Sequence, residues 1–184
     1  MNRRIAISAG HSNVKGEDRG AIANGYVEGE LAVELRDLIV AIFKQRNIPV
    51  SVDPNSNVTF QTVALFRKWF NTGNDILVDI HFNAGASSAN GTLVIVPNTA
   101  SDFEKDLAKA LSYTIALTLG IPNKGVHDEH YTARGKLLWM SLPAESVLIE
   151  VCFLTNLNDM AAYSQLKSRV AVSIANVLID YKTK

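Results

Sequence analysis

The chain has 184 residues, 47% of them hydrophobic, which suits one folded domain with a substantial core and rules out disorder for its bulk. Eighteen basic residues balance eighteen acidic ones, so the basic footprint of a nucleic-acid binder is missing, as is the charge that would hold an anionic membrane surface. One cysteine, Cys152, excludes an intrachain disulfide or a multi-thiolate metal site, and no apolar run is long enough to cross a bilayer.

In chain order, residues 4–9 form a short apolar run that stops at Gly10 and presents His11. A polar, glycine-containing loop follows over residues 12–25. From Glu28 the spacing of Leu31, Leu35, Leu38, Ile39, Ile42 and Phe43 predicts an amphipathic helix that Asn47 ends. Residues 48–52 read as a second strand, closed by Asp53-Pro54. Capping residues over 56–59 precede a helix whose apolar face is Val63, Leu65, Phe66, Trp69 and Phe70.

A third strand over residues 75–81 ends in His81. A small-residue loop over 82–90 leads to a fourth strand over 91–96. Ser101 and Glu104 fit a capping box for a helix running to Leu119 and stopped by Gly120 and Pro122. Residues 123–135 read as polar loop and 136–140 as a short strand. Residues 146–151 form a buried strand carrying Glu150, and two helical segments, about 157–163 and 164–181, finish the chain. Strands alternating with amphipathic helices predict an α/β sandwich around a central, mostly parallel sheet in a single domain, residues 1–184.

Three of these strands end in His11, His81 and Glu150, and the first helix opens at Glu28. Ligands of open α/β sheets bind beyond the carboxyl ends of the strands, so a parallel arrangement brings all four side chains to one rim. Two imidazoles and a carboxylate suit a catalytic zinc ion with a position left for water, and a second glutamate suits proton transfer. Each residue also has a plainer reading: a hydrogen-bonding loop histidine for His11 or His81, and a favourable helix-terminal charge for Glu28, with Glu30 and Glu34 as competitors. Glu150 is harder to explain away, because an unpaired carboxylate inside an apolar run is costly. His127 and His130 fall in a polar loop and are read as solvated, with possible contact to a substrate. Cys152 is read as a core thiol on the same strand face as Glu150.

Ala9-Gly10-His11, Gly20-Ala21 followed by Gly25-Tyr26-Val27-Glu28, the run Asp79-Ile80-His81-Phe82-Asn83-Ala84, and Glu150-Val151-Cys152-Phe153-Leu154-Thr155-Asn156 stand in one order across nearly the whole chain. In that order they resemble the type-3 class of zinc-dependent N-acetylmuramoyl-L-alanine amidases. The resemblance implies a phosphorylase/hydrolase-like three-layer α/β sandwich. It further implies zinc held by His11, Glu28 and His81, with Glu150 as catalytic acid/base; Asn83 and the loop over residues 123–134 are the expected substrate contacts. The implied reaction is hydrolysis of the amide between N-acetylmuramic acid and L-alanine in peptidoglycan. A zinc carboxypeptidase-like peptidase and a metal-free wall-binding domain on the same scaffold are the alternatives. Ser12-Asn13 stands where the family often has two glycines, and Asp53 stands where the family has an arginine. The first strand begins too early to leave room for a signal peptide. The expectation is therefore a phage or prophage lysin made in the cytoplasm, or a secreted protein whose signal has been removed. No inserted helix that would block the site is recognisable, and the sequence carries no signal for an oligomeric state.

Overall fold

Short apolar runs bounded by polar residues build the centre of the fold, because buried strands need little alternation when both faces are covered. The computed structural model describes residues 3–55, 59–70 and 73–184. Its strands are β1 (Ile5–Ala9), β2 (Ile22–Ala23), β3 (Tyr26–Val27), β4 (Ser51–Val52), β5 (Ile76–Asn83), β6 (Thr92–Val96), β7 (Asn123–Asp128) and β8 (Glu145–Phe153). Its helices are α1 (Glu28–Gln45), α2 (Thr59–Trp69), α3 (Asp102–Leu119) and α4 (Leu157–Lys182). The main sheet has the order β4-β1-β5-β8-β6-β7, parallel throughout except where β6 meets β8. β2 and β3 make a separate antiparallel hairpin that delivers the chain into α1.

Alternation along the strands assigns each residue to a layer. Ile5, Ile7, Ile76, Val78, Ile80, Val147 and Ile149 face α1, α3 and α4, and together form the larger core. Ala6, Leu77, Leu93, Ile95 and Leu148 face the other way, onto Val63, Phe66 and Phe70 of the α2 region and onto Trp139 and Met140. The result is the expected three-layer α/β sandwich. The second layer is thinner, and Asp79, His81 and Glu150 belong to the face that it covers.

Several boundaries differ from expectation. Residues 123–128 form β7, although Asn-Lys-Gly-Val-His-Asp is polar; β7 lies at the edge of the sheet, pairs only with β6, and packs its one hydrophobic residue, Val126, against the larger core. Residues 136–140 form no strand: a single helical turn at Trp139–Ser141 carries Trp139 into the smaller core. The two C-terminal helical segments are one helix, because Met160, Tyr163, Val170, Ile174, Leu178 and Tyr181 make one buried stripe past the exposed Ser164. The second strand shrinks to Ser51–Val52 at the opposite edge. The caps expected at residues 56–58 lie outside the described residues. The capping box is formed: Ser101 Oγ accepts from Glu104 N at 3.0 Å, and Glu104 Oε2 accepts from Ser101 N at 2.8 Å.

Candidate metal centre

The end of β1 is fixed before it turns. Gly10 N donates to Ile80 O at 2.8 Å, which continues the pairing with β5, and His11 then takes a left-handed conformation with φ 66°. That region is rare for a residue with a Cβ, and such strain recurs where a side chain must be aimed. Ser12, standing where the family often has a glycine, is fully buried and ties the following loop: its Oγ donates to Glu17 Oε2 (2.5 Å), lies 3.0 Å from Asn55 O, and accepts from Val14 N (3.0 Å). The hairpin β2–β3 sets Glu28 as the first residue of α1, where Glu28 N donates to Ala21 O at 2.9 Å.

These elements bring His11, Glu28 and His81 together, each offering one ligand atom within 4.8 Å of the others. Glu28 stands between the two rings: its Oε1 is 2.9 Å from His81 Nδ1 and its Oε2 is 3.4 Å from His11 Nε2. The N–H groups of Phe82 (3.3 Å) and Ala21 (2.9 Å) hold the same two oxygens. Burial works to raise the Glu28 carboxyl, but the His81 hydrogen bond and both imidazoles outweigh it and leave the group below its usual range. Glu30 is exposed and pairs with Arg19, and Glu34 pairs with Lys167, so neither competes for this place.

The surroundings fit a small divalent cation. A Cβ at Gly10 would overlap the His81 ring, and one at Gly20 would stand 2.5 Å from Glu28 Oε2 and 2.6 Å from His11 Cδ2. The two glycines thus leave space for the donors alone. His11 Nδ1, 3.2 Å from Asp18 Oδ2, lacks a well-aligned hydrogen bond. Two imidazole nitrogens and a carboxylate form a donor set suited to zinc.

Asp79, which opens the third motif but carries no role expected from the sequence, is buried with its Oδ2 3.1 Å from His81 Nε2. A carboxylate behind a ligating histidine fixes the tautomer and the ring orientation. Its signal was the one that singled out Glu150, a carboxylate inside an apolar strand.

Glu150 lies beside His81 in the parallel pairing of β5 and β8. Its Oε2 is buried with no hydrogen-bond partner among the described residues, and burial, then Glu28 and Asp79 against the pull of His81, pushes its carboxyl up to about 7. One extra residue of β8 is accommodated between the pairs His81–Glu150 and Asn83–Phe153. That bulge corrects the expectation for Cys152: it leaves the Glu150 face and packs in the larger core, with Sγ 3.9 Å from Met160 Sδ. Burial raises its thiol well above the usual range. Asn156, the last residue of the fourth motif, caps α4 by accepting from Asn158 N and Asp159 N.

An open cleft of about 470 Å³ leads to these groups. The centre and Asn83 form one side, and the other is the segment from Thr132 to Trp139, including Arg134 and Lys136. Asn83 Oδ1 accepts from the following Ala84 N at 2.8 Å. His127 and His130 do not join the centre. His127 stacks on Tyr131, with centroids 4.0 Å apart, and His130 is exposed beside Asp128. Asp53, which stands where the family has an arginine, is buried against Arg36 of α1, with Nη1 3.1 Å from Oδ1, and it also accepts from Ala9 N at 3.1 Å.

A family model described as N-acetylmuramoyl-L-alanine amidase matches residues 5–180. The chain is 28% identical to N-acetylmuramoyl-L-alanine amidase LytC of Bacillus subtilis over 98% of its own length and 36% of that protein. It is 25% identical to an endolysin of Bacillus phage SPP1 over 88% of its length and 58% of that protein. It therefore spans about a third of the first relative and somewhat over half of the second. In fold it is similar to the crystal structure of N-acetylmuramoyl-L-alanine amidase from Clostridium difficile 630, with a TM-score of 0.78 and 23% identity, covering 98% of this chain and 97% of that one.

Proposed function

The chain belongs to the N-acetylmuramoyl-L-alanine amidase family, and from that premise we propose that it hydrolyses the amide between the lactyl group of N-acetylmuramic acid and L-alanine of the peptidoglycan stem. The observation that carries the reading is the meeting of His11, Glu28 and His81 within 4.8 Å, with the unpartnered Oε2 of Glu150 on the adjacent strand. In this reading His11, Glu28 and His81 hold zinc and the domain acts on the cell wall.

Bound there, zinc would supply Lewis-acid polarisation of the carbonyl and a water of lowered pKa. Glu150 Oε2 accepts the proton of the attacking water and returns it to the departing amine nitrogen. Such acid–base work contributes roughly 10²–10⁴-fold. Asp79 holds the His81 ring through Nε2, and Asn83, which lines the cleft, contacts the substrate.

Replacing Glu150 with glutamine keeps the shape and removes the base. Purified peptidoglycan treated with the zinc-loaded protein should release whole stem peptides, visible by mass spectrometry, and Glu150→Gln should lower that rate at least about 10²-fold. Metal content should stay near one zinc per chain. An active variant would remove Glu150 from its role, and release of single terminal amino acids would favour a peptidase instead.

A further inference from the structure

Three carboxylates, Glu28, Asp79 and Glu150, line the inner end of the cleft. The opposite wall carries two cations, Arg134 and Lys136, and both are exposed. Neither is within ion-pair distance of a carboxylate among the described residues, although Asp18 lies near enough to feel the charge of Arg134, whereas Arg19 pairs with Glu30, and Arg36 with Asp37 and Asp53. Two exposed cations without a salt bridge in one cleft wall suit an anionic group of a ligand.

The segment that presents them is built, not draped. Glu129 is buried, and its carboxylate accepts from Asn98 N at 3.1 Å and Leu137 N at 2.6 Å, closing the segment at its base. Thr132 Oγ1 donates to Glu129 O (2.8 Å) and accepts from Gly135 N (3.2 Å), while Asn98 Nδ2 reaches Gly135 O at 3.4 Å. Gly135, with φ 65°, makes the turn between the two cations, and Trp139 anchors the far end against Phe66, ring centroids 5.6 Å apart. A pre-formed segment loses less entropy on binding.

We propose that Arg134 and Lys136 form a carboxylate subsite, and that this subsite takes an acidic residue of the stem peptide in preference to the same residue amidated. The inference rests on the amidase reading for its substrate. A stem residue with a free carboxylate offers the guanidinium fork two acceptor oxygens, and the same residue as an amide offers only one. The amide would turn an N–H₂ donor toward two donors. Arg134 supplies the planar fork and Lys136 a second positive charge beside it.

The test separates the two claims. The full chain, with and without added zinc, is titrated calorimetrically with a stem tripeptide carrying the free acid and with its amidated counterpart. The acid form should bind about tenfold tighter or more. In the double variant Arg134→Gln, Lys136→Gln the preference should vanish, and Arg134→Lys should keep part of it. Equal binding of both peptides by the unsubstituted chain, or a preference that survives in the double variant, overturns the subsite. Release of stem peptide from peptidoglycan is measured alongside. Discrimination without release would sink the amidase reading and leave the subsite standing, and release without discrimination would do the reverse.

Discussion

A single methyl group at position 10 tests how the two imidazoles are held. Gly10→Ala would drive a Cβ into the His81 ring, which is locked on its other sides by Asp79 and Glu28, so the ring must swing out. Zinc affinity should fall more than tenfold, read by competition with a chromogenic chelator, as expected when the orientation of a ligand is lost. Asp53 gives a second test at this scale. Burial pushes its carboxyl up to about 6 in spite of Arg36 and the Ala9 N–H. A carboxyl raised above its unfolded value favours the folded state fully below about pH 4, and that contribution disappears as pH rises through 6. Relative to Asp53→Asn, the unsubstituted chain should therefore lose up to roughly 3 kcal/mol between pH 4 and pH 7 in urea unfolding. His11, His81 and Glu150 were legible in the sequence because each is an ionisable residue at or near the end of an apolar run. The part played by Gly10 was not, because it depends on a ring seventy residues away in the chain, about as far as β5 is from β1.

At the scale of elements, the cleft wall from Glu129 to Trp139 depends on one buried carboxylate. Glu129→Ala would strand the N–H groups of Asn98 and Leu137, at about 1–3 kcal/mol. Hydrogen exchange should quicken across residues 129–138 and leave β5 and β8 as protected as before. The helices were readable from their periodicity and caps. The wall was not, since its order comes from hydrogen bonds to Asn98 across the sheet edge rather than from local propensity. β7 was missed for a related reason: an edge strand with polar residues is defined by its partner β6 and has no pattern of its own. The register bulge in β8, which sends Cys152 to α4 and leaves Glu150 at the site, likewise exists only in the paired sheet.

For the molecule as a whole, the proposed ligands tie three separate elements, β1, α1 and β5, to one point. Zinc at a hundred times its dissociation constant should add about 2.7 kcal/mol to stability, which for a chain of this size raises the melting temperature by roughly 5–10 °C. Chelator should reverse the shift, and His11→Ala should not show it. The α/β class and the layering were legible from the alternation of elements. That β6 runs against β8 was not, because nothing in either strand's composition encodes its direction.

β8 follows β6 and β7 in the chain yet sits between β5 and β6 in the sheet. Until it inserts, the earlier strands can pair only as two separate groups, β4-β1-β5 and β6-β7. Folding must then wait for a long-range closure, the slow kind. A ribosome that has made the chain as far as Leu142 has produced the three proposed ligands but not Glu150. Completion of the sheet and the arrival of Glu150 beside His81 are therefore one event.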